Sequence, residues 1–206
     1  MRLAKHYEEG DGVEVDLDQA FDLFKNTFHS SAIRFIDDDA IKEKQKTEFE
    51  TWKRLASKGH GGSMNALGMC YDVGCGVVQD KKKALELYEK AAKCGVIDAL
   101  FNVGKCYDKG EGVTQDRTKA FEWFLKSART GNVDAMKEVG VCYSQGQGAT
   151  KDMAKAFEWY LKSANNGNAD AMFHIGKCFD KGEGVTQDKK KAFEWCLKSA
   201  ENGNTD

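Results

Sequence analysis

Along residues 98–109 the apolar side chains Ala99, Val103, Cys106 and Tyr107 stand at i, i+4, i+7 and i+8, with Asp98, Asn102, Lys105 and Asp108 interspersed. That spacing marks one face of an α-helix and predicts a helix from about Asp98 to Lys109. Gly110-Glu111-Gly112 ends it, because glycine accepts the positive φ that a helix stop requires. Asp116 then offers a carboxylate to the free N–H groups of a second helix. That helix carries Ala120, Trp123, Phe124, Ser127 and Ala128 before stopping at Gly131. The pattern predicts a helical hairpin with an apolar stripe on each helix.

The hairpin recurs every 36 residues. Gly68, Gly104, Gly140 and Gly176 hold one register, followed three positions on by Tyr71, Tyr107, Tyr143 and Phe179. The pairs Gly74/Gly76, Gly110/Gly112, Gly146/Gly148 and Gly182/Gly184 follow, then Asp80, Asp116, Asp152 and Asp188, then Ala84, Ala120, Ala156 and Ala192. Leu87-Tyr88, Trp123-Phe124, Trp159-Tyr160 and Trp195-Cys196 come next, and Gly95, Gly131, Gly167 and Gly203 close the units. Gly104 and its equivalents fall inside a helix, where glycine costs about 1 kcal/mol against alanine; close approach of two helices is the expected compensation. One hairpin cannot bury both stripes, so the units must stack, predicting an all-α solenoid of antiparallel helix pairs. Proline is absent, and no helix is interrupted by it.

The register slips once. Tyr7, Gly10, Gly12, Asp16, Ala20, Leu23 and Phe24 match Tyr71, Gly74, Gly76, Asp80, Ala84, Leu87 and Tyr88 at an offset of 64, which is 36 plus 28. The chain thus reads as one solenoid over 1–206, with units near 1–26, 63–98, 99–134, 135–170 and 171–206, and an acidic linker with an extra helix inserted near 27–62. Asp16 to about Ser30 is expected as one second-type helix and Asp39 to Lys58 as another, since Trp52, Ala56 and Gly59 match Tyr88, Ala92 and Gly95 one period later. The insertion is either a lengthened connection or a contact element of its own. Both ends read as cut: residues 1–9 supply part of a first helix, and Asp206 matches Asp98, Asp134 and Asp170. The face bearing Phe193 and Trp195 is then expected to lie open, which suggests end-to-end self-association.

Charge narrows the partners. With 31 Lys and Arg against 33 Asp and Glu, the net charge is -2, so no basic face is at hand for nucleic acid or an anionic membrane. No stretch approaches the ~18 apolar residues of a membrane span, and the first residues lack the apolar core of a signal peptide. A cytoplasmic location is the expectation. Of seven cysteines, Cys70, Cys106, Cys142 and Cys178 recur with the period. Equivalent positions in stacked units lie about 10 Å apart or more, beyond the ~7 Å between Cα atoms that a disulfide allows. They are expected to be small core side chains.

Taken together, A-x-x-x-L/V-G-x-C-Y/F-x-x-G-x-G-V-x-x-D-x-x-K-A-x-x-W-x-x-K-S/A-A-x-x-G resembles the Sel-1-like repeat, a relative of the tetratricopeptide repeat. Residues 99–206 fit closely, 63–98 well, and 3–26 more loosely. The resemblance implies a right-handed superhelix whose first helices line a concave surface, and an adaptor role. A secreted branch of the family staples its units with Cys-x7-Cys pairs, which this chain lacks. Carrying over the tetratricopeptide-like concave positions gives Asn65, Met69 and Asp72, then Phe101, Lys105 and Asp108, then Lys137, Val141 and Ser144, and finally Phe173, Lys177 and Asp180. A ring beside an ammonium, as at Phe101/Lys105 and Phe173/Lys177, suits an extended peptide carrying a carboxylate. Equally, the same positions can form a solvated face with i, i+3 charge pairs.

Catalytic signals are weak. His60-Gly61-Gly62-Ser63 is faintly similar to an oxyanion-hole loop, but no G-x-S-x-G elbow accompanies it, and it falls where each unit turns. His174 and Cys178 are four apart on a helix, without two further metal ligands in view; Cys70 and Cys75 are a similarly weak pair. The Gly-x-Gly turns lack the Lys-Ser/Thr of a phosphate cradle. The expectation is a non-catalytic scaffold with no metal or cofactor, binding a protein or peptide on its concave face. A regulatory array within a larger signalling protein such as a kinase is the alternative, and a hydrolase of the secreted cysteine-rich type is the weakest reading.

Overall fold

A computed structural model of the chain describes residues 8–9, 16–19, 22 and 38–203, and every regular element among them is helical. From residue 38 onward the helices are α1 (Asp38–Ser57), α2 (Gly61–Val73), α3 (Lys81–Lys93), α4 (Ile97–Lys109), α5 (Arg117–Arg129), α6 (Val133–Gln145), α7 (Met153–Asn165), α8 (Ala169–Lys181) and α9 (Lys189–Glu201). The predicted helix over Asp39–Lys58 is α1. Of the one expected over Asp16–Ser30, residues 17–19 and 22 are helical; the rest of it, the acidic linker, most of residues 1–9 and Asp206 lie outside the described residues. The chain divides into two compact units, Met1–Ala99 and Leu100–Asp206.

The second unit shows how the repeat is built. Within each hairpin the helices run antiparallel: Asp180 at the end of α8 pairs with Lys189 at the start of α9 at 2.7 Å, and Ser199 near the end of α9 donates to the carbonyl of Ala169 at the start of α8 at 2.7 Å. Ser163 makes the same bond to Val133 at 2.8 Å. These serines are buried, and a buried hydroxyl without such an acceptor would be costly. Between hairpins, Phe121 meets Tyr143 edge-on at 5.3 Å and Phe157 meets Phe179 at 5.4 Å. The cores are Ala120, Phe124, Ala128, Ala135, Val139 and Cys142, then Ala156, Tyr160, Ala164, Ala171, Met172, Ile175, Cys178 and Phe179.

The mid-helix glycines have the predicted cause. A Cβ on Gly104 would stand 2.6 Å from the ring of Phe124, and one on Gly140 would stand 2.6 Å from that of Tyr160. The aspartates cap as expected: Asp116 and Asp152 each accept from the backbone N–H three residues on at 3.0 Å. First helices start earlier than the sequence suggested. Asn132 and Asn168 are their caps, accepting from Ala135 and Ala171 at 2.8 Å, so Asp134 and Asp170 lie in the first turn, where a negative charge suits the helix dipole.

In the first unit α1 occupies the place of a second helix. Gly76 packs against the backbone of Gln45, as Gly148 packs against Arg117 and Gly184 against Met153; these three contacts are in register at 72 and 36 residues. Phe49 meets Tyr71 edge-on at 5.5 Å, the counterpart of Phe121–Tyr143. Phe49, Trp52, Leu55, Leu67 and Cys70 form this core. The buried carboxylate of Glu8 is ion-paired with Arg54 and Lys58 of α1.

Candidate functional site

The predicted binding positions divide between the two units and have different fates. In the first unit Asn65 and Met69 on α2 line a groove of about 520 Å³. It is also lined by Trp52 from α1, by Gly62, Ala66, Cys70 and Val73 of α2, and by Cys75, Val96 and Asp98. Met69 and Val73 are 52% and 69% exposed, a turn apart on one helix face. Asp72 stands outside this lining, paired with Lys81 at 2.7 Å. The groove is thus lined mainly by apolar side chains, with one amide, Asn65, and one carboxylate, Asp98, among them.

In the second unit the row is more engaged with the fold. Phe101 is half-buried against Phe124, with centroids 5.7 Å apart, and exposed Lys105 lies 5.7 Å over its ring. Phe173 carries Lys177 at 4.1 Å in the same way, a cation–π contact that holds each ammonium over its ring. The carbonyl of Asp108 accepts from Gln115 at 2.6 Å. Lys137 is half-buried and pairs with Glu138 at 3.1 Å and Asp170 at 3.4 Å; burial pushes its ammonium down, but the two carboxylates outweigh it and raise the pKa. Val141 packs against the core shared by α7, α8 and α9. Ser144 bonds Val141 and the Tyr160 hydroxyl at 2.9 and 3.1 Å. Lys177 and Asp180 share a shallow depression with Phe193 and Cys196. Met69, Lys105, Lys177 and Asp180 therefore remain exposed, while Phe101, Lys137, Val141 and Ser144 are engaged with neighbouring side chains of the stack.

Sequence reasoning missed Trp52, Val73, Val96 and Cys75 of the groove. Trp52, which the period matches to Tyr88, is both buried and groove-lining.

The loop at His60 brings a serine, a histidine and an aspartate together. His60 Nδ1 meets the Ser63 hydroxyl at 2.6 Å, and Nε2 meets the Asp18 carboxylate at 2.8 Å. The two ring nitrogens are thus exchanged relative to a catalytic Ser-His-Asp triad, in which Nε2 faces the serine. The Ser63 backbone N–H also donates to Nδ1 at 3.0 Å, and Ser63 has no exposed surface. A nucleophile must reach its substrate, so this trio is a helix cap: His60 stands where Asn132 and Asn168 stand later. His174 stacks on Tyr160 at 4.7 Å, and its pKa is lowered by burial and by Lys177 and Lys137. Burial pushes the neighbouring Cys178 thiol up to about 11, away from the thiolate a metal needs. No group of three or more potential metal ligands exists among the described residues, nor any helix long and apolar enough to cross a membrane.

Comparison with known proteins agrees with this architecture. No curated protein matches the chain. A Sel1 repeat protein from Oxalobacter formigenes superposes with TM-score 0.72 at 28% identity, covering 98% of this chain and 71% of that one. The protective antigen c5321 of uropathogenic Escherichia coli, described as displaying an SLR fold, gives 0.73 at 29% identity, covering 98% of this chain but 45% of its own. An immunity protein of Pseudomonas aeruginosa, Pa5087, shares the fold at 22% identity, with TM-score 0.53 over 82% of this chain and 68% of that one. Sel1 repeats typically serve protein–protein interaction and are generally non-catalytic. The Sel1 repeat matches residues 1–26, 62–96, 97–132, 133–168 and 169–204, and the chain belongs to the Sel1 repeat family.

Proposed function

We propose that the chain is a non-catalytic, cytoplasmic scaffold that binds a peptide or protein partner along its first helices, with the α2 groove as principal anchor. The observation carrying this reading is the exposed Met69–Val73 face against Trp52, beside Asn65 and Asp98. A groove of about 520 Å³ lies within the ~300–1,000 Å³ typical of small-molecule sites, room for a few side chains of an extended segment. Burying one apolar side chain there contributes about 1.5–3 kcal/mol, which against the costs of association yields a weak contact by itself. The ammonium rows at Lys105 and Lys177 supply a second, acidic preference in the partner. Peptides selected from a displayed random library on the intact chain should lose about tenfold in affinity, some 1.4 kcal/mol, when Met69→Asp is introduced. Selected peptides that bind Met69→Asp and Val73→Asp as tightly as the wild type would refute the groove as anchor.

Two observations support further readings. The chain spans 45% of the Escherichia coli relative, so arrays of this kind occur inside longer chains, and a regulatory region of a larger signalling protein such as a kinase is the second reading. The 70% exposure of Phe193, with Leu197 beside it, supports self-association of two copies through α9.

A further inference from the structure

The turn after α2 differs chemically from its equivalents. In the three later hairpins the residue after the helix-ending glycine is Glu111, Gln147 or Glu183; here it is Cys75. Its backbone N–H donates to the carbonyl of Cys70 at 2.9 Å, the closure that Glu111 makes on Cys106, Gln147 on Cys142 and Glu183 on Cys178, each at 3.0 Å. Helix stops of this kind place the two closing residues side by side, commonly as an apolar contact. One carbonyl arm, that hydrogen bond and one N–Cα bond leave the two Cα atoms no more than about 7 Å apart, at the edge of disulfide reach or inside it. The two thiols are close enough that each shifts the other's pKa. Both line the groove beside Trp52 and Met69. Cys70 is buried and Cys75 half-buried, so one thiol can be touched by a small molecule and the other stands behind it.

We propose that Cys70 and Cys75 are a dithiol modification site that closes to an intrachain disulfide by exchange with a low-molecular-weight disulfide of the glutathione type. The Cys75 thiolate, its proton lost to solvent, attacks one sulfur of the small disulfide and expels one small thiolate. The Cys70 thiolate, deprotonated in turn, attacks the Cys75 sulfur of the mixed disulfide and expels the second. One S–S bond breaks and one forms. The two cysteines lose two electrons, the small disulfide gains them, and the two released protons leave with two small thiols. Burial raises both thiols, Cys70 to about 12, and Glu48 adds to both. Closure is therefore slow at neutral pH and speeds up by about tenfold per pH unit, following the thiolate fraction.

The test treats the whole protein with oxidised glutathione at neutral and mildly alkaline pH, alkylates the remaining thiols after denaturation, and maps the digest by mass spectrometry. The segment spanning Cys70 and Cys75 should lose two hydrogens and resist alkylation at both positions, faster at the higher pH, while Cys106, Cys142 and Cys178 are alkylated. Cys75→Glu, the residue of two of the three equivalent turns, should keep the helical circular dichroism and leave Cys70 reduced. Full alkylation of both cysteines, a stable glutathione adduct on Cys75, or a linkage of Cys75 to Cys94 or to a second chain would each overturn the proposal.

Discussion

At the scale of single residues, two positions carry most of the repeat's specificity. Gly104 gives up helix propensity so that Phe124 can lie 2.6 Å from where its Cβ would be. Gly104→Ala should therefore destabilise by about 1–3 kcal/mol, as overpacking does, despite the roughly 1 kcal/mol that alanine gains in an open helix; chemical denaturation checks the sign, and a neutral or stabilising result would remove the close-approach explanation. The capping aspartates set an acid limit. Asp80, Asp116, Asp152 and Asp188 have lowered pKa values, chiefly through the backbone N–H each accepts. A carboxylate whose native pKa lies below its unfolded value stabilises fully above the unfolded pKa, about 4, and loses that contribution as pH falls through the native value. Asp152→Asn keeps an acceptor at the cap without a charge, so its stability should fall less steeply than the wild type's below about pH 4; parallel acid-unfolding curves would count against this account. Both glycine and aspartate were legible from their recurrence at one offset. Asn132, Asn168 and His60 were not recognised as caps, because asparagine, histidine and, before α4, Val96 stand at the one shared position.

At the scale of elements, α1 shows how far a period can be trusted. Its 20 residues exceed the 13 of the later second helices, yet Gln45, Phe49 and Trp52 make the contacts of Arg117, Phe121 and Phe124. The helix was foreseen because Trp52, Ala56 and Gly59 keep the 36-residue step. The groove it forms with α2 was not foreseen. A groove arises from side chains that fail to cover one another, Met69 and Val73 among them, and periodicity reports the side chains that succeed. For the same reason the row inferred by resemblance mixed exposed residues, such as Lys105, with structural ones, such as Ser144 and Val141. Trp52 is 7% exposed, and Trp52→Ala should cost about 3–5 kcal/mol. Because a stacked repeat interacts mainly with its neighbours, hydrogen exchange should show the loss of protection in α1 and α2, with α8 and α9 close to wild type. Uniform loss across all helices would mean that the stack unfolds as one cooperative block.

At the scale of the whole molecule, one row of side chains states what the surface lacks. Phe49, Phe121 and Phe157 each meet an aromatic ring edge-on from the first helix of the hairpin that follows, at 5.5, 5.3 and 5.4 Å. Phe193 is the next member of that row and is 70% exposed, with Leu197 at 49% one turn along; Trp195, expected to share the open face, is half-buried instead and packs on the neighbouring core. The open patch is thus narrower than the sequence suggested, two large apolar side chains flanked by Lys189, Lys190 and Glu194. A dimer through α9 covers four such side chains, about 6–12 kcal/mol at 1.5–3 each, much of which is offset by the cost of joining two bodies, about 4 kcal/mol or more. Two copies meeting through α9 should therefore form a dimer in the range of tens of micromolar to millimolar, not a permanent one. Sedimentation velocity over a rising concentration series should show the wild type shifting toward a faster species, and Phe193→Lys with Leu197→Lys should hold it at the monomer value. A wild type whose sedimentation is independent of concentration up to the millimolar range would remove self-association through this face and leave the α2 groove as the principal contact surface.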